Sequence, residues 1–192
     1  MSERDTKPIP KAPGDGGLER RVEEMIRVDH AGEYGAVAIY RGQRAVFARS
    51  PKTGRISRQI KHMADQEQAH LDGFDALIKE RGVRPTALAP VWDAAGFTLG
   101  AVTALMGEKA AHACTEAVES VIEKHYQDQV DELTEAEAEP ELRQTFAKFR
   151  EEELEHRDLA TEEGAKEAPG YALLSSAIKA GCHLAIAVTK KI

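Results

Sequence analysis

Glu67-Gln68-Ala69-His70 and Glu153-Leu154-Glu155-His156 are two copies of one short pattern, 86 positions apart. Each copy is preceded, 34 positions earlier, by a lone glutamate: Glu33 before the first and Glu119 before the second. On a helix, residues i and i+3 share a face, so the Glu and His of each pair project together. One Glu-x-x-His arises easily in a Glu-rich helix. Two copies, each with a glutamate at the same upstream distance, are hard to obtain from solvated faces alone.

The sequence around these residues reads as helix. Ala is plentiful, β-branched runs are short and long stretches lack Pro. The first helix is expected over about Leu18 to Phe47, ended by the punctuation Ser50-Pro51-Lys52-Thr53-Gly54. A second is expected over about Arg55 to Arg81, stopped by Gly82 and Pro85. An apolar helix follows from Ala89 to Met106, then a long helix from Glu108 to Leu133, a helix from Leu142 to Glu163, and a last one from Tyr171 to Lys190. Four of these six would carry Glu, Glu-x-x-His, Glu and Glu-x-x-His. That is the ligand set of ferritin-like di-iron and di-manganese carboxylate proteins. The expected fold is therefore all-α, a ferritin-like four-helix bundle with two additional apolar helices. Outside the ligand positions the two halves show no strong self-similarity.

The expected ligands are Glu33, Glu67, His70, Glu119, Glu153 and His156. Carboxylates bridge and chelate hard or borderline cations, and imidazole suits iron. Without metal, four facing carboxylates would repel one another and suffer desolvation. Spacing does not separate iron from manganese. Two nitrogens and four carboxylates with open positions favour two irons per chain and O2 activation. Tyr126 lies seven residues after Glu119, back on the ligand face; it either bonds a ligand, contacts substrate or simply packs. His125 beside it and His30, three before Glu33, are candidates for the layer around the ligands. Glu116, Glu123, Glu152 and Glu155 read mainly as solvated or supporting groups, and His62, His112 and His183 as ordinary packing.

The 192 residues suit one domain with a sizeable core, residues 18–192, behind a flexible tail at 1–17 that is rich in Pro and Gly. That tail lacks the apolar run of a signal peptide. A net charge of −7 argues against nucleic acid as a partner. The two cysteines, Cys114 and Cys182, form no metal-knuckle spacing, and the reduced cytoplasm is the default compartment. Ala94–Gly107 carries no charge, and Tyr171–Val188 is nearly as apolar. Both are shorter and more interrupted than a confident membrane span. They are expected either to pack inside or to dip into one leaflet, with Lys179, Lys190 and Lys191 facing anionic headgroups.

Longer words then become recognisable. Arg27-Val28-Asp29-His30-Ala31-Gly32-Glu33-Tyr34-Gly35-Ala36 resembles the first metal-binding helix of the demethoxyubiquinone hydroxylases. The likeness continues through Glu67–His70, Ala113–Glu119, His125-Tyr126, Phe149–His156 and Ala180-Gly181-Cys182, and covers nearly everything from about residue 22 onward. The resemblance implies a membrane-associated di-iron monooxygenase that hydroxylates the ring of a polyprenylated demethoxyubiquinol, with O2 as co-substrate and an external two-electron donor. It carries the six ligands over by position and places His125 and Tyr126 near the site. It also implies membrane-facing apolar helices and a lipid-binding accessory protein as partner. With no transit-peptide pattern, the chain reads as a bacterial member or a processed one, bound peripherally at the cytoplasmic face of the inner (cell) membrane. Two other classes share parts of the pattern: a di-iron quinol oxidase, which would release only water, and a non-catalytic iron-storage protein, which would leave the apolar segments without a role.

Overall fold

A computed structural model describes residues 15–48 and 54–192. The expected tail up to residue 14 and the turn at 49–53 lie outside the described residues. The chain is all-α. Among the described residues it forms α1 (Asp15–Phe47), α2 (Gly54–Arg81), α3 (Ala89–Leu105), α4 (Glu108–Glu135), α5 (Pro140–Glu162) and α6 (Tyr171–Thr189), with a single 3-10 turn at Ala165–Glu167 before α6. The expected ends are met within three residues everywhere. The largest differences are at α1, which starts at Asp15 instead of Leu18, at α4, which runs two residues past Leu133, and at α5, which starts two residues before Leu142. Gly82 ends α2 with a φ of 66°, a left-handed conformation that costs glycine little.

α1 and α2 pair as a hairpin, and so do α4 and α5. The hairpins face each other antiparallel. Arg21 bonds Glu132 near one end, and Gln43 reaches the Ala111 carbonyl at the other. Apolar side chains fill the interior above and below a polar middle layer. At one end Met25, Ile26, Phe74, Leu133 and Phe146 are buried together. At the other, Phe47, Ile56, Ile60 and Met63 are. Burying such side chains contributes roughly 1.5–3 kcal/mol each before entropy is counted, so the middle layer is held by apolar packing on both sides.

Each hairpin carries a third helix, α3 along α1 and α6 along α4. α3 approaches α1 through small residues. A Cβ on Gly96 would lie 2.6 Å from the Gly35 carbonyl oxygen, and one on Gly100 would lie 2.0 Å from that of Ile39. Only glycine permits this spacing. The outer faces of both helices are apolar and exposed: Leu105 is 75% exposed and Leu173 is 79%. α6 is long and apolar enough to cross a membrane by length and composition, more so than its sequence led us to expect, and only 17% of its apolar window is buried. It is nonetheless tied to α4. Tyr171 donates to Glu116 at 2.9 Å, and Lys179 lies 3.5 Å from the same carboxylate. Lys179 is thus engaged with Glu116.

Candidate metal centre

The six expected ligand residues meet in the polar middle layer, and all are buried. They form two overlapping donor sets. Glu33, Glu67, His70 and Glu153 offer atoms within 4.8 Å of one another, and so do Glu67, Glu119, Glu153 and His156. Glu67 and Glu153 belong to both sets. Each turns one oxygen to each imidazole. His70 Nδ1 lies 3.1 Å from Glu153 Oε1 and 3.9 Å from Glu67 Oε2. His156 Nδ1 lies 3.2 Å from Glu153 Oε2 and 3.1 Å from Glu67 Oε1. Glu33 completes the first set, 3.5 Å from His70 Nδ1. Each of two metal ions would find one His and one further Glu here, with Glu67 and Glu153 offering oxygens to both positions.

Despite these distances, both oxygens of Glu67 and Glu153 and the Nδ1 atoms of both histidines make no hydrogen bond. Buried donors and acceptors left so cost about 1–3 kcal/mol each, and more when charged. The six atoms converge instead on shared points, which a cation can satisfy together. The residues therefore fit a pair of metal ions.

The electrostatics agree. Burial pushes the Glu67 and Glu119 carboxyls well above their ordinary range, and the nearby Glu153 pushes further. Burial opposes charge on His70, but close carboxylates of Glu153 and Glu33 carry it to about 12; His156 reaches about 11 against Glu153 and Glu67. Burial likewise opposes ionisation of Glu153, and the two imidazoles overcome this, holding it down to about 2. Without metal, Glu67, Glu119, His70 and His156 are all pushed toward their protonated forms, and a divalent pair bound there would displace protons.

A further layer of residues supports the donor sets. Tyr126 donates its hydroxyl hydrogen to Glu33, and Tyr40 donates to Glu119 Oε1 at 2.8 Å. The geometry gives Tyr126 a hydrogen bond to Glu33, a member of the first donor set. The outer nitrogens of the histidines are also held: His70 Nε2 by Glu152 Oε2 at 2.5 Å, His156 Nε2 by Gln66 Oε1 at 3.0 Å. Glu152 is thus no merely solvated residue. His125 sits apart from the donor sets, 3.3 Å from buried Asp29 and 3.2 Å from Gln129. His30 pairs with Asp75 across α1 and α2. Glu123 binds Arg157, and Glu116 binds Tyr171 and Ser120.

Sequence reading missed Tyr40 and Gln66. The signal was present in the repeat itself. Tyr40 and Tyr126 stand 86 residues apart, as do Gln66 and Glu152. The correspondence between halves therefore runs past the ligands.

Beside this layer an apolar groove of about 560 Å³ opens between α1, α3, α4 and α6. Its floor includes Ala31, Gly32 and Gly35, which flank Glu33, and its walls include Leu99, Ile178 and Leu184.

An all-α chain with two buried carboxylate and histidine sets that share two glutamates belongs to the class of helical proteins built to bind metal in the core. The match is closer than the class. Residues 20–189 match the family model "Ubiquinone biosynthesis protein COQ7", and the chain belongs to that family. It is 48% identical, over 95% of its length and 84% of the relative's, to a Rhodospirillum rubrum protein named 3-demethoxyubiquinol 3-hydroxylase. It is 49% identical to the Bos taurus NADPH-dependent 3-demethoxyubiquinone 3-hydroxylase, mitochondrial, over 89% of this chain and 78% of that one. To the Saccharomyces cerevisiae 5-demethoxyubiquinone hydroxylase, mitochondrial, it is 39% identical over 86% of this chain and 76% of that one.

Proposed function

We propose that this chain is a 3-demethoxyubiquinol 3-hydroxylase of ubiquinone biosynthesis, working at a di-iron site in a ferritin-like bundle. Glu33, Glu67, His70, Glu119, Glu153 and His156 would hold the two irons, Glu67 and Glu153 being the residues common to both donor sets. Bound iron supplies the activation of O2. One oxygen atom enters a ring C–H as a hydroxyl; the other leaves as water, taking two protons and two electrons from an external donor. The Bos taurus relative carries NADPH in its name, which supports a nicotinamide donor.

The observation that carries this reading is the groove. It is almost wholly apolar, and it passes directly over Gly32 and Gly35 beside Glu33. A quinol ring seated there lies next to the donor sets, with its polyprenyl tail along Leu99, Ile178 and Leu184. The absence of side chains at Gly32 and Gly35 leaves space for the ring, and the apolar walls keep water from the reacting carbon. Tyr40 and Tyr126 orient the two terminal glutamates. An iron-storage protein has no use for such a groove.

The tail is a lipid, so the enzyme works at a membrane surface. α3 exposes Val102 and Leu105, with Met106 exposed just past its end, and α6 exposes Leu173 and Leu184. Charge inside a bilayer is costly, and the Lys179–Glu116 pair keeps α6 on α4. This supports a helix lying in the interface of the cytoplasmic leaflet instead of crossing it. A lipid-binding accessory protein would deliver substrate over the same face.

The deciding experiment is mass spectrometry of quinones from cells that lack the protein. We expect demethoxyubiquinone to accumulate and to disappear when the gene is restored. Normal ubiquinone in those cells would reject the reading, and release of water alone from purified protein and quinol would mark a quinol oxidase.

A further inference from the structure

The correspondence between the two halves breaks at one point that bears on the metals. The ligands repeat as Glu33 with Glu119, Glu67 with Glu153 and His70 with His156, and the supporting tyrosines repeat as Tyr40 with Tyr126. The residue before each bridging glutamate reaches across to the other half's histidine. There the halves differ: Glu152 serves His70, and Gln66 serves His156. With a metal taken at the inner nitrogen, Nδ1, which faces the donor sets, the outer nitrogen of each imidazole would carry the hydrogen. His70 gives that hydrogen to a carboxylate, His156 to a neutral amide oxygen. Lys148 lies 3.7 Å from the other oxygen of Glu152, and its own side chain is 67% exposed, so it screens the carboxylate only weakly.

A charged acceptor draws the N–H proton outward and makes the opposite nitrogen a stronger donor to metal. We propose that the two metal positions are unequal, the one served by His70 binding its ion more tightly because Glu152 backs that histidine while only Gln66 backs His156. The inference rests on the two-metal reading above and adds an order of filling: the Glu33–His70 position loads first, the Glu119–His156 position second. Glu152 acts through His70 and is a positioning residue.

The test is an anaerobic titration of metal-free, full-length protein with cobalt(II), whose visible absorption reports occupancy. Both exchanges keep the side chain's shape, and helical content is checked first. The wild type should take up two ions in two steps, separated by about 10–100-fold in affinity. Glu152→Gln should weaken the tight step toward the weak one, and Gln66→Glu should strengthen the weak step toward the tight one. These opposite shifts are not what a general loss of packing would give. Two wild-type steps of equal affinity, untouched by either exchange, would overturn the proposal and leave the two-metal site standing. Equal weakening of both steps by Glu152→Gln would overturn it too. A wild type that binds fewer than two cobalt ions would remove the two-metal reading and the proposal with it.

Discussion

Tyr40 reaches from α1 across the bundle and donates to Glu119 Oε1 on α4 at 2.8 Å. Tyr126 makes the reciprocal bond, from α4 to Glu33 on α1. Each tyrosine lies seven residues after the glutamate on its own helix, two turns along the same face. Each also belongs to one of the apolar clusters that close the polar layer, Tyr126 at one end and Tyr40 at the other. The pair therefore fixes both terminal carboxylates and seals the layer with rings.

The reciprocity makes the two phenols comparable in effect. Tyr40→Phe and Tyr126→Phe each keep the ring and delete one bond to a charged group, worth about 1.5–3 kcal/mol. If that bond orients its glutamate during turnover, each variant should lose about 10–150-fold in rate, with helical content unchanged. Turnover within twofold of the parent for either would reduce that tyrosine to packing.

What the sequence made legible follows from what leaves a periodic trace. The helices were readable because Gly82 and Pro85, or Gly164 and Pro169, stop long runs of helix-forming residues. The six metal-site residues were readable because two Glu-x-x-His pairs with upstream glutamates recur at one interval. Gln66 was hidden because Gln on a helix surface usually faces water, and Glu152 was legible only as a solvated or supporting group; the geometry turns both toward imidazole. The α1–α3 contact was also hidden. Gly96 and Gly100 read as apolar filler until the carbonyls of Gly35 and Ile39 are seen against them.

That contact gives a stability prediction of opposite signs. Gly100→Ala places a Cβ 2.0 Å from a backbone oxygen, so α3 must shift. Overpacking of this kind costs about 1–3 kcal/mol. Gly181, on α6, has nothing within 4 Å of its Cβ position. There Gly181→Ala should gain up to about 1 kcal/mol from helix propensity. Urea denaturation of both variants checks the pair, and equal effects would mean that the α1–α3 spacing relaxes freely.

His112 supplies a pH dependence away from the metals. It is buried on α4 and its Nε2 has no partner. Burial lowers its pKa, Glu163 opposes this and Arg55 adds to it. The unfolded chain then takes a proton near the ordinary imidazole value of about 6.5 while the folded chain does not. Its contribution is therefore fully present above that value and is lost as pH falls below it, by up to about 1.4 kcal/mol per pH unit. His112→Leu should flatten the fall in stability between about pH 7.5 and 5.5 relative to the parent. Parallel stability curves would show that His112 protonates in the folded protein as readily as in the unfolded one.

The exposed apolar face leads to the last prediction. Leu105 on α3 and Leu173 on α6 are among the most exposed large apolar residues of the described chain, at 75% and 79%. Neither is among the groove residues or the metal ligands, so both can be changed without touching the chemistry. In water such side chains gain nothing from folding, while burial in a bilayer surface is worth roughly 1.5–3 kcal/mol each. Leu105→Glu with Leu173→Glu should remove that gain and add repulsion from anionic lipid. We expect at least a tenfold loss of binding to vesicles containing anionic lipid, with cobalt uptake and turnover of a short-tailed quinol unchanged. Unaltered vesicle binding would place the contact elsewhere on the molecule. Loss of short-tailed turnover together with vesicle binding would mean that these leucines support the bundle itself, and that α3 and α6 cannot be treated as a surface separate from the site they flank.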